Sequence, residues 1–231
     1  MIITIDGPIA TGKSTIAQKL AERLGYIHFD TGAMYRCVTY AIIKNKIDVD
    51  SDLKKFLKHF TFDIKVMNGE KRYFVGKEDV TDQIRASAVT SLVSKVSAIG
   101  EVREKLVAIQ QQWAVGVDAV FEGRDLGTVV FPNADLKVFL TGRTEIRATR
   151  RFNELRLRFP EDTRELTLEQ TIDDINKRDL YDSTREISPL RQAPDAYVVD
   201  TSDYSVDEII DRIMNELVKK MKMKKPGLDH V

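Results

Sequence analysis

Two apolar runs of different period flank the segment Gly7-Pro8-Ile9-Ala10-Thr11-Gly12-Lys13-Ser14. Before it, Ile2-Ile3-Thr4-Ile5 reads as a buried strand. After it, Ile16, Leu20 and Leu24 recur at i, i+4 and i+8, one face of a helix. The segment fills every fixed position of the P-loop pattern G-x-x-x-x-G-K-[ST], in the strand–loop–helix context the pattern needs. Gly7 and Gly12 lack Cβ, so the chain can curl and aim several N–H groups inward. Those donors and the positive end of the following helix suit a triphosphate. The phosphate-binding residues are therefore read as Gly7, Pro8, Ile9, Ala10, Thr11, Gly12, Lys13, Ser14 and Thr15. Lys13 can bridge the outer phosphates, and the Ser14 hydroxyl can ligate Mg²⁺ directly.

The rest of the composition narrows the setting. A length of 231 residues allows one substantial core, with or without small appendages. Lys+Arg and Asp+Glu both number 36, so no global field points to nucleic acid. No run of 18 apolar residues exists to span a membrane, and a strand beginning at residue 2 leaves no room for a signal peptide. The single cysteine, Cys37, fits a reducing compartment and a role as a small buried hydrophobe. A cytoplasmic location follows as the expectation. His28, His59 and His230 lie far apart and show no metal-ligand spacing.

Strand and helix signals alternate along the chain. Gly25 closes the first helix, and Tyr26-Ile27-His28-Phe29 reads as a second strand. Residues 34–47 look helical. Phe62, Ile64 and Val66 then alternate with polar residues, and Asn68-Gly69 is a type I′ hairpin signal leading to Tyr73-Phe74-Val75. This predicts a small antiparallel insert, with a third strand near Val80. Residues 86–113 read as helical, with Val89, Leu92, Val93, Val96 and Ile99 on a broad apolar face. Ala119-Val120-Phe121, Leu136-Lys137-Val138-Phe139-Leu140 and Ala196-Tyr197-Val198-Val199 supply three more core strands. Thr167 with Gln170 makes a capping box for a helix through Asn176, and Ser205 with Glu208 caps the last helix. Its core face is Ile209, Ile210, Ile213 and Leu217. Five lysines and two methionines at residues 219–225 read as a solvated, frayed end rather than a basic tag. The alternation implies an α/β fold with a mostly parallel sheet.

Three charged segments stand out. Arg143, Arg147, Arg150 and Arg151 collect on one helical face, which Arg158 extends, with Pro160 ending the run. The stripe admits three readings: a solvated face, an RNA-binding face, or a lid of arginines closing on a triphosphate. The last fits the P-loop and needs no second ligand. Arg178-Asp179-Leu180-Tyr181-Asp182-Ser183-Thr184-Arg185 alternates carboxylates with arginines, as a salt-bridged helix terminus also would. Glu122-Gly123-Arg124-Asp125 follows a strand directly, at the end where open α/β sheets bind ligands. Asn45-Lys46-Ile47-Asp48 matches a guanine-recognition pattern. It lies only 32 residues after Lys13, with no switch motif between, and reads as a chance match.

Nearly the whole chain resembles the bacterial-type cytidylate kinases. Beyond the P-loop, the resemblance is carried by Asp30-Thr31-Gly32-Ala33-Met34-Tyr35-Arg36, by the run from Glu122-Gly123-Arg124-Asp125 through Leu126-Gly127-Thr128-Val129-Val130-Phe131-Pro132, and by Ser188-Pro189-Leu190 with Asp195-Ala196 and Asp200-Thr201. It implies a single P-loop kinase domain with a five-stranded parallel core (1–30, 104–142, 165–220). A helical monophosphate-binding part with the antiparallel insert would span 31–103, and a short Arg-rich lid 143–164. It implies transfer of the γ-phosphate of ATP to CMP or dCMP with Mg²⁺, by a monomer without nucleic-acid or membrane partners. Lys13, Arg124, Arg178 and Arg185 take catalytic roles in that reading, and Arg147, Arg150 and Arg151 join the ATP site. Thr31, Arg36, Ser94, Arg103, Arg124, Asp125, Asp182 and Arg185 bind CMP. Among these, Ser94, Arg103 and Asp125 read cytosine and Asp182 the ribose. Glu122 stands where some relatives carry Asp and is a second metal-linked residue, acting through water. The loop's Ile9-Ala10-Thr11 departs from the relatives' Ser-Gly-Ala but leaves both glycines and the lysine in place.

Overall fold

The computed structural model describes residues 1–161 and 163–224. In chain order the elements are β1 (Ile2–Asp6), α1 (Lys13–Leu24), β2 (Ile27–Asp30), α2 (Thr31–Lys44), α3 (Lys54–His59), β3 (Phe62–Met67), β4 (Glu70–Val75), β5 (Glu78–Asp79), α4 (Ser87–Val96), α5 (Gly100–Trp113), β6 (Ala119–Gly123), β7 (Leu136–Thr141), α6 (Thr144–Arg158), α7 (Leu168–Thr184), β8 (Tyr197–Asp200) and α8 (Val206–Lys224). A 3₁₀ turn at Gln83–Arg85 and a π-helical turn at Leu126–Val130 complete the set. No helix among the described residues is long and apolar enough to cross a membrane.

The chain divides into two compact units. Unit 1 comprises Met1–Phe29, Gly116–Thr184 and Pro189–Val231. It holds the predicted five-stranded parallel sheet, in the order β2-β6-β1-β7-β8. β1 lies between β6 and β7, with Ile5 opposite Glu122 and Val138, and Asp6 opposite Gly123 and Phe139. A strand buried on both faces needs a near-continuous apolar sequence, which Ile2-Ile3-Thr4-Ile5 and Ala119-Val120-Phe121 supply. Ile16 and Leu20 of α1 and Ile209, Ile210, Ile213 and Leu217 of α8 join Ile3, Ile5, Leu136, Val138 and Leu140 in one core. Each such side chain contributes about 1.5–3 kcal/mol on burial.

Unit 2 comprises Asp30–Val115 and Arg185–Ser188. Its core gathers Met34, Val38 and Ile42 of α2 with Leu57, Phe60, Tyr73, Val80, Val93, Val96, Val102 and Leu106. β3 and β4 pair antiparallel from Phe62↔Val75 to Met67↔Glu70. At the hairpin tip Asn68 and Gly69 have φ of 54° and 80°, the two positive values a type I′ turn requires.

Several boundaries differ from the sequence reading. α2 begins at Thr31 rather than residue 34, because the Asp30 carboxylate caps it by accepting the Ala33 amide at 3.0 Å. The third insert strand is at Glu78–Asp79, and Val80 beside it is buried. The stretch 86–113 is two helices, broken at Ser97-Ala98-Ile99. The apolar period continues across the break because both helices bury residues in the same core. The helix capped at Thr167 runs on past Asn176 to Thr184. Both hydrogen bonds of its capping box form, at 2.9 and 3.1 Å. α8 keeps residues 219–224 helical rather than frayed, while Lys225 lies outside the described residues, as does Asp162 in the segment expected to form a lid. α3 and the turn at Leu126–Val130 have no signal in the hydrophobic pattern.

Candidate active site

In unit 1 the P-loop bends where only glycine fits. Gly7 has φ 152°, and a Cβ there would lie 2.2 Å from the Leu140 carbonyl oxygen. Gly12 has φ 84° and opens α1 without a side-chain cap or an acidic residue in the first turn. That end of the helix presents N–H donors, the arrangement that receives phosphate elsewhere. Lys13 is buried, and its Nζ donates to the Pro8 carbonyl at 2.6 Å. Burial, reinforced by Arg124, pulls the Lys13 ammonium well below its usual pKa, while Glu122, Asp6 and Asp182 act against the shift. A phosphate brought to this position would favour the charged ammonium.

The end of β6 brings the next residues beside the loop. The Ser14 hydroxyl donates to Glu122 Oε2 at 2.7 Å, and His28 Nε2 lies 3.0 Å from Glu122 Oε1. Arg124 Nε donates to Asp182 Oδ2 at 3.0 Å, joining β6 to α7. Asp125 is buried at the head of the π-helical turn. That turn is tied to β1 by Asp6, whose carboxylate accepts the Leu126 and Gly127 amides at 2.9 and 2.7 Å. Burial, with a smaller contribution from Asp125, pushes the Asp6 carboxyl up to about 6, and the two amides pull the other way.

Acceptors within the protein meet the Arg-rich face along its length. Arg143 pairs with Asp203 and Arg151 with Glu154. Arg150 Nη1 donates to Thr201 Oγ1 at 3.1 Å. Arg147 is buried and donates to the Gly142 carbonyl at 2.9 Å, to the Ile9 carbonyl at 2.9 Å and to Asp179 Oδ2 at 2.6 Å. Asp179 also accepts the Ile9 amide at 3.1 Å, so α6 and α7 both reach the P-loop backbone. Arg178 precedes Asp179 on α7.

In unit 2, Thr31 opens α2 and is buried. One turn later Arg36 Nη1 donates to the Ile84 carbonyl at 3.1 Å and to Thr90 Oγ1 at 2.8 Å. Arg103 on α5 is buried over the Tyr35 ring, with its guanidinium carbon 5.6 Å from the centroid. Its Nη1 donates to the Ser97 carbonyl at 3.3 Å, and Arg185 Nη1 donates to Ser97 Oγ at 3.2 Å. Ser97 Oγ in turn donates to the Ser94 carbonyl at 2.9 Å. The break between α4 and α5 thus brings Ser94, Arg103 and Arg185 to one place. The sequence reading missed Ser97, for which the only available signal was Gly100 three residues on. It also missed His28 as a partner of Glu122, since a single histidine in a short strand has no pattern.

Among the described residues no group of three or more His, Cys, Asp or Glu side chains is placed to hold a metal ion. The oxygens of Ser14 and Glu122 are the hard donors at the P-loop, and they suit a cation that arrives with phosphate and keeps several waters.

Comparison with known proteins agrees with this arrangement. The family described as "Cytidylate kinase" matches residues 3–219. The cytidylate kinase of Protochlamydia amoebophila is 63% identical over 229 residues, covering 98% of this chain and 100% of that protein. The cytidylate kinase of Caldicellulosiruptor bescii is 45% identical over 223 residues, covering 95% and 96%. Among solved structures, an uncharacterized protein from Eubacterium ventriosum aligns with a TM-score of 0.52 at 13% identity, over 95% of this chain and 98% of that one, a likeness of fold alone. A match that runs through the P-loop, the end of β6 and the whole of α7 leaves one assignment: the chain belongs to the cytidylate kinase family of P-loop nucleoside monophosphate kinases.

Proposed function

We propose how the residues of this chain divide the reaction of its family, transfer of the γ-phosphate of ATP to CMP or dCMP. Residues 7–15 cradle the ATP phosphates through backbone N–H groups, and Lys13 carries positive charge to the transferring group. Arg124, Arg178 and Arg185 stabilise the charge that spreads over the equatorial oxygens in the transition state. Arg150 and Arg151 would serve the ATP phosphates from α6, leaving their Thr201 and Glu154 partners to do so, and Arg147 would serve the same end while holding the Ile9 backbone. Thr31 and Arg36 take the acceptor phosphate, and Asp182 the ribose hydroxyls. Ser94, Arg103 and Asp125 read the cytosine edge, whose amino donor and two acceptors a carboxylate and a guanidinium can answer.

The oxygens at the P-loop fit Mg²⁺. The Ser14 hydroxyl gives its proton to Glu122, so its lone pairs stay available to a cation. Ser14 would hold the ion directly and Glu122 through water. A cation held by these residues would supply neutralisation of phosphate charge. The enzyme acts as a monomer in the cytoplasm in this reading. Equal numbers of acidic and basic residues support small-molecule substrates without a nucleic-acid partner.

The observation that carries the reading is the register of β6 on β1. Ile5 opposite Glu122 sets the acceptor-side residues Arg124 and Asp125 beside the strand that opens into the P-loop. A coupled ADP-release assay over CMP, dCMP, UMP, AMP and GMP tests it. CMP or dCMP should be the preferred acceptor, and a preference for AMP, GMP or UMP would overturn it.

A further inference from the structure

Glu122 is buried at the C-terminal end of β6, and each of its carboxylate oxygens has a defined neighbour. Oε2 receives the Ser14 hydroxyl at 2.7 Å, and Oε1 lies 3.0 Å from His28 Nε2. The side chains of His28 and Glu122 are only 9% and 5% exposed. From this chain of contacts we infer that His28 is a positioning residue for the divalent-cation site, acting through Glu122 on Ser14. The inference rests on the roles proposed above for Ser14 and Glu122.

Hydrogen-bond chemistry sets the direction of the chain. A carboxylate oxygen accepts, so in this inference the imidazole is the Nε2–H tautomer and donates to Oε1. The Ser14 hydroxyl has one proton, and it points at Oε2. Both lone pairs of Ser14 therefore stay free of Glu122 and open to a cation. The last torsion of a glutamate is broad and roughly two-fold, so a single hydrogen bond holds a carboxylate poorly. A second bond on the other oxygen removes that freedom. His28 is itself held by its strand: the next residue, Phe29, stacks on Phe121, the residue before Glu122, with ring centroids 4.7 Å apart. Such outer partners orient the groups that bind a metal and are typically worth about 10–100-fold in metal affinity.

The test uses the full chain, ADP and Mn²⁺ as the probe. Calorimetry gives the dissociation constant of ADP with and without Mn²⁺, and the ratio of the two is the gain from the metal. His28→Phe keeps a ring but loses the donor, so it should lower that gain about tenfold while leaving metal-free ADP binding unchanged. His28→Gln restores an N–H donor and should recover most of the gain. Equal losses in the two variants would place the effect in ring packing and overturn the inference, as would an unchanged gain in His28→Phe. Glu122→Gln separates this from the site itself. If that variant loses the gain and His28→Phe keeps it, the positioning role alone fails. If Glu122→Gln keeps the gain, the cation site proposed above fails with it. Should His28→Phe not fold, the ¹⁵N shifts of the wild-type imidazole decide: an Nε2–H tautomer supports the inference and an Nδ1–H tautomer overturns it.

Discussion

In unit 1 the residues around the P-loop lie at the ends of the strands β1 and β6, whereas in unit 2 Arg36, Ser94 and Arg103 lie on helices. The P-loop follows β1, Glu122 to Asp125 close β6, and the parallel register sets the two side by side. Parallel pairing buries these strands on both faces, so their sequence is apolar until the chain reaches the ligand end. Charges that end such a run interrupt its apolar pattern and announce themselves. In unit 2, Arg36, Ser94 and Arg103 sit on α2, α4 and α5 among residues with ordinary helical spacing. Helices carry charge on an outer face as a matter of course. The same side chains are therefore conspicuous in one unit and ordinary in the other.

Four substitutions would break or sharpen this contrast, beginning with the largest effect. Lys13→Ala should lower kcat by about 10²–10³ or more while the protein still folds, because it removes a charge-bearing donor from the transferring phosphate. Single-turnover kinetics with CMP would measure it, and near-normal kcat in a folded variant would contradict the P-loop role. The second concerns Asp125, a strand-end residue proposed to read the base. Wild-type enzyme should prefer CMP to UMP by about 10²–10³ in kcat/KM, since uracil presents a carbonyl where cytosine presents an amine. Asp125→Ala should narrow that ratio. Equal losses on both acceptors would assign Asp125 to catalysis or architecture instead.

The third is a pH effect on stability. The Asp6 carboxyl is raised from 3.8 to about 6 in the folded state. Between those values the folded chain binds more protons than the unfolded one, so Asp6's contribution to stability falls as pH rises through that window and is level above it. The full difference is about 3 kcal/mol. Asp79, Asp195 and Asp200, whose pKa values are lowered, act in the opposite sense at lower pH. The measurement is therefore the difference between wild type and Asp6→Asn in urea denaturation from pH 4 to 7. That difference should change with pH in the stated direction, and a constant offset would show that Asp6 does not titrate there. The smallest effect belongs to unit 2. Ser97→Ala removes the hydroxyl that receives Arg185 Nη1, while Arg185 Nε keeps its bond to the Ser188 carbonyl. KM for CMP should rise a few-fold with KM for ATP unchanged, and an equal rise in both would remove Ser97 from the acceptor side.

Legibility followed the same division. The five core strands, the hairpin at Asn68-Gly69 and both capping boxes were readable because each rests on local rules: period, turn conformation and reciprocal side-chain-to-backbone bonds. The break at Ser97 was not, since α4 and α5 bury residues in one core and their apolar period runs through the gap. The π-helical turn at Leu126–Val130 was hidden for a related reason. Its leading amides are held by Asp6, a residue more than a hundred positions away.

By itself the sequence determined a P-loop between strand and helix, an α/β order of elements and, through its longer motifs, a family. These depend on glycine conformation, hydrophobic period and residue identity, which are properties of short segments. Tertiary structure alone decided which acceptors meet the arginines of α6, that Asp179 grips the Ile9 amide, and that His28 stands behind Glu122. Those are contacts across 94 to 170 positions of chain or between neighbouring helices, and no local pattern encodes them. A buried charge takes the partner that packing brings to it, because leaving it unpaired in the interior costs several kcal/mol.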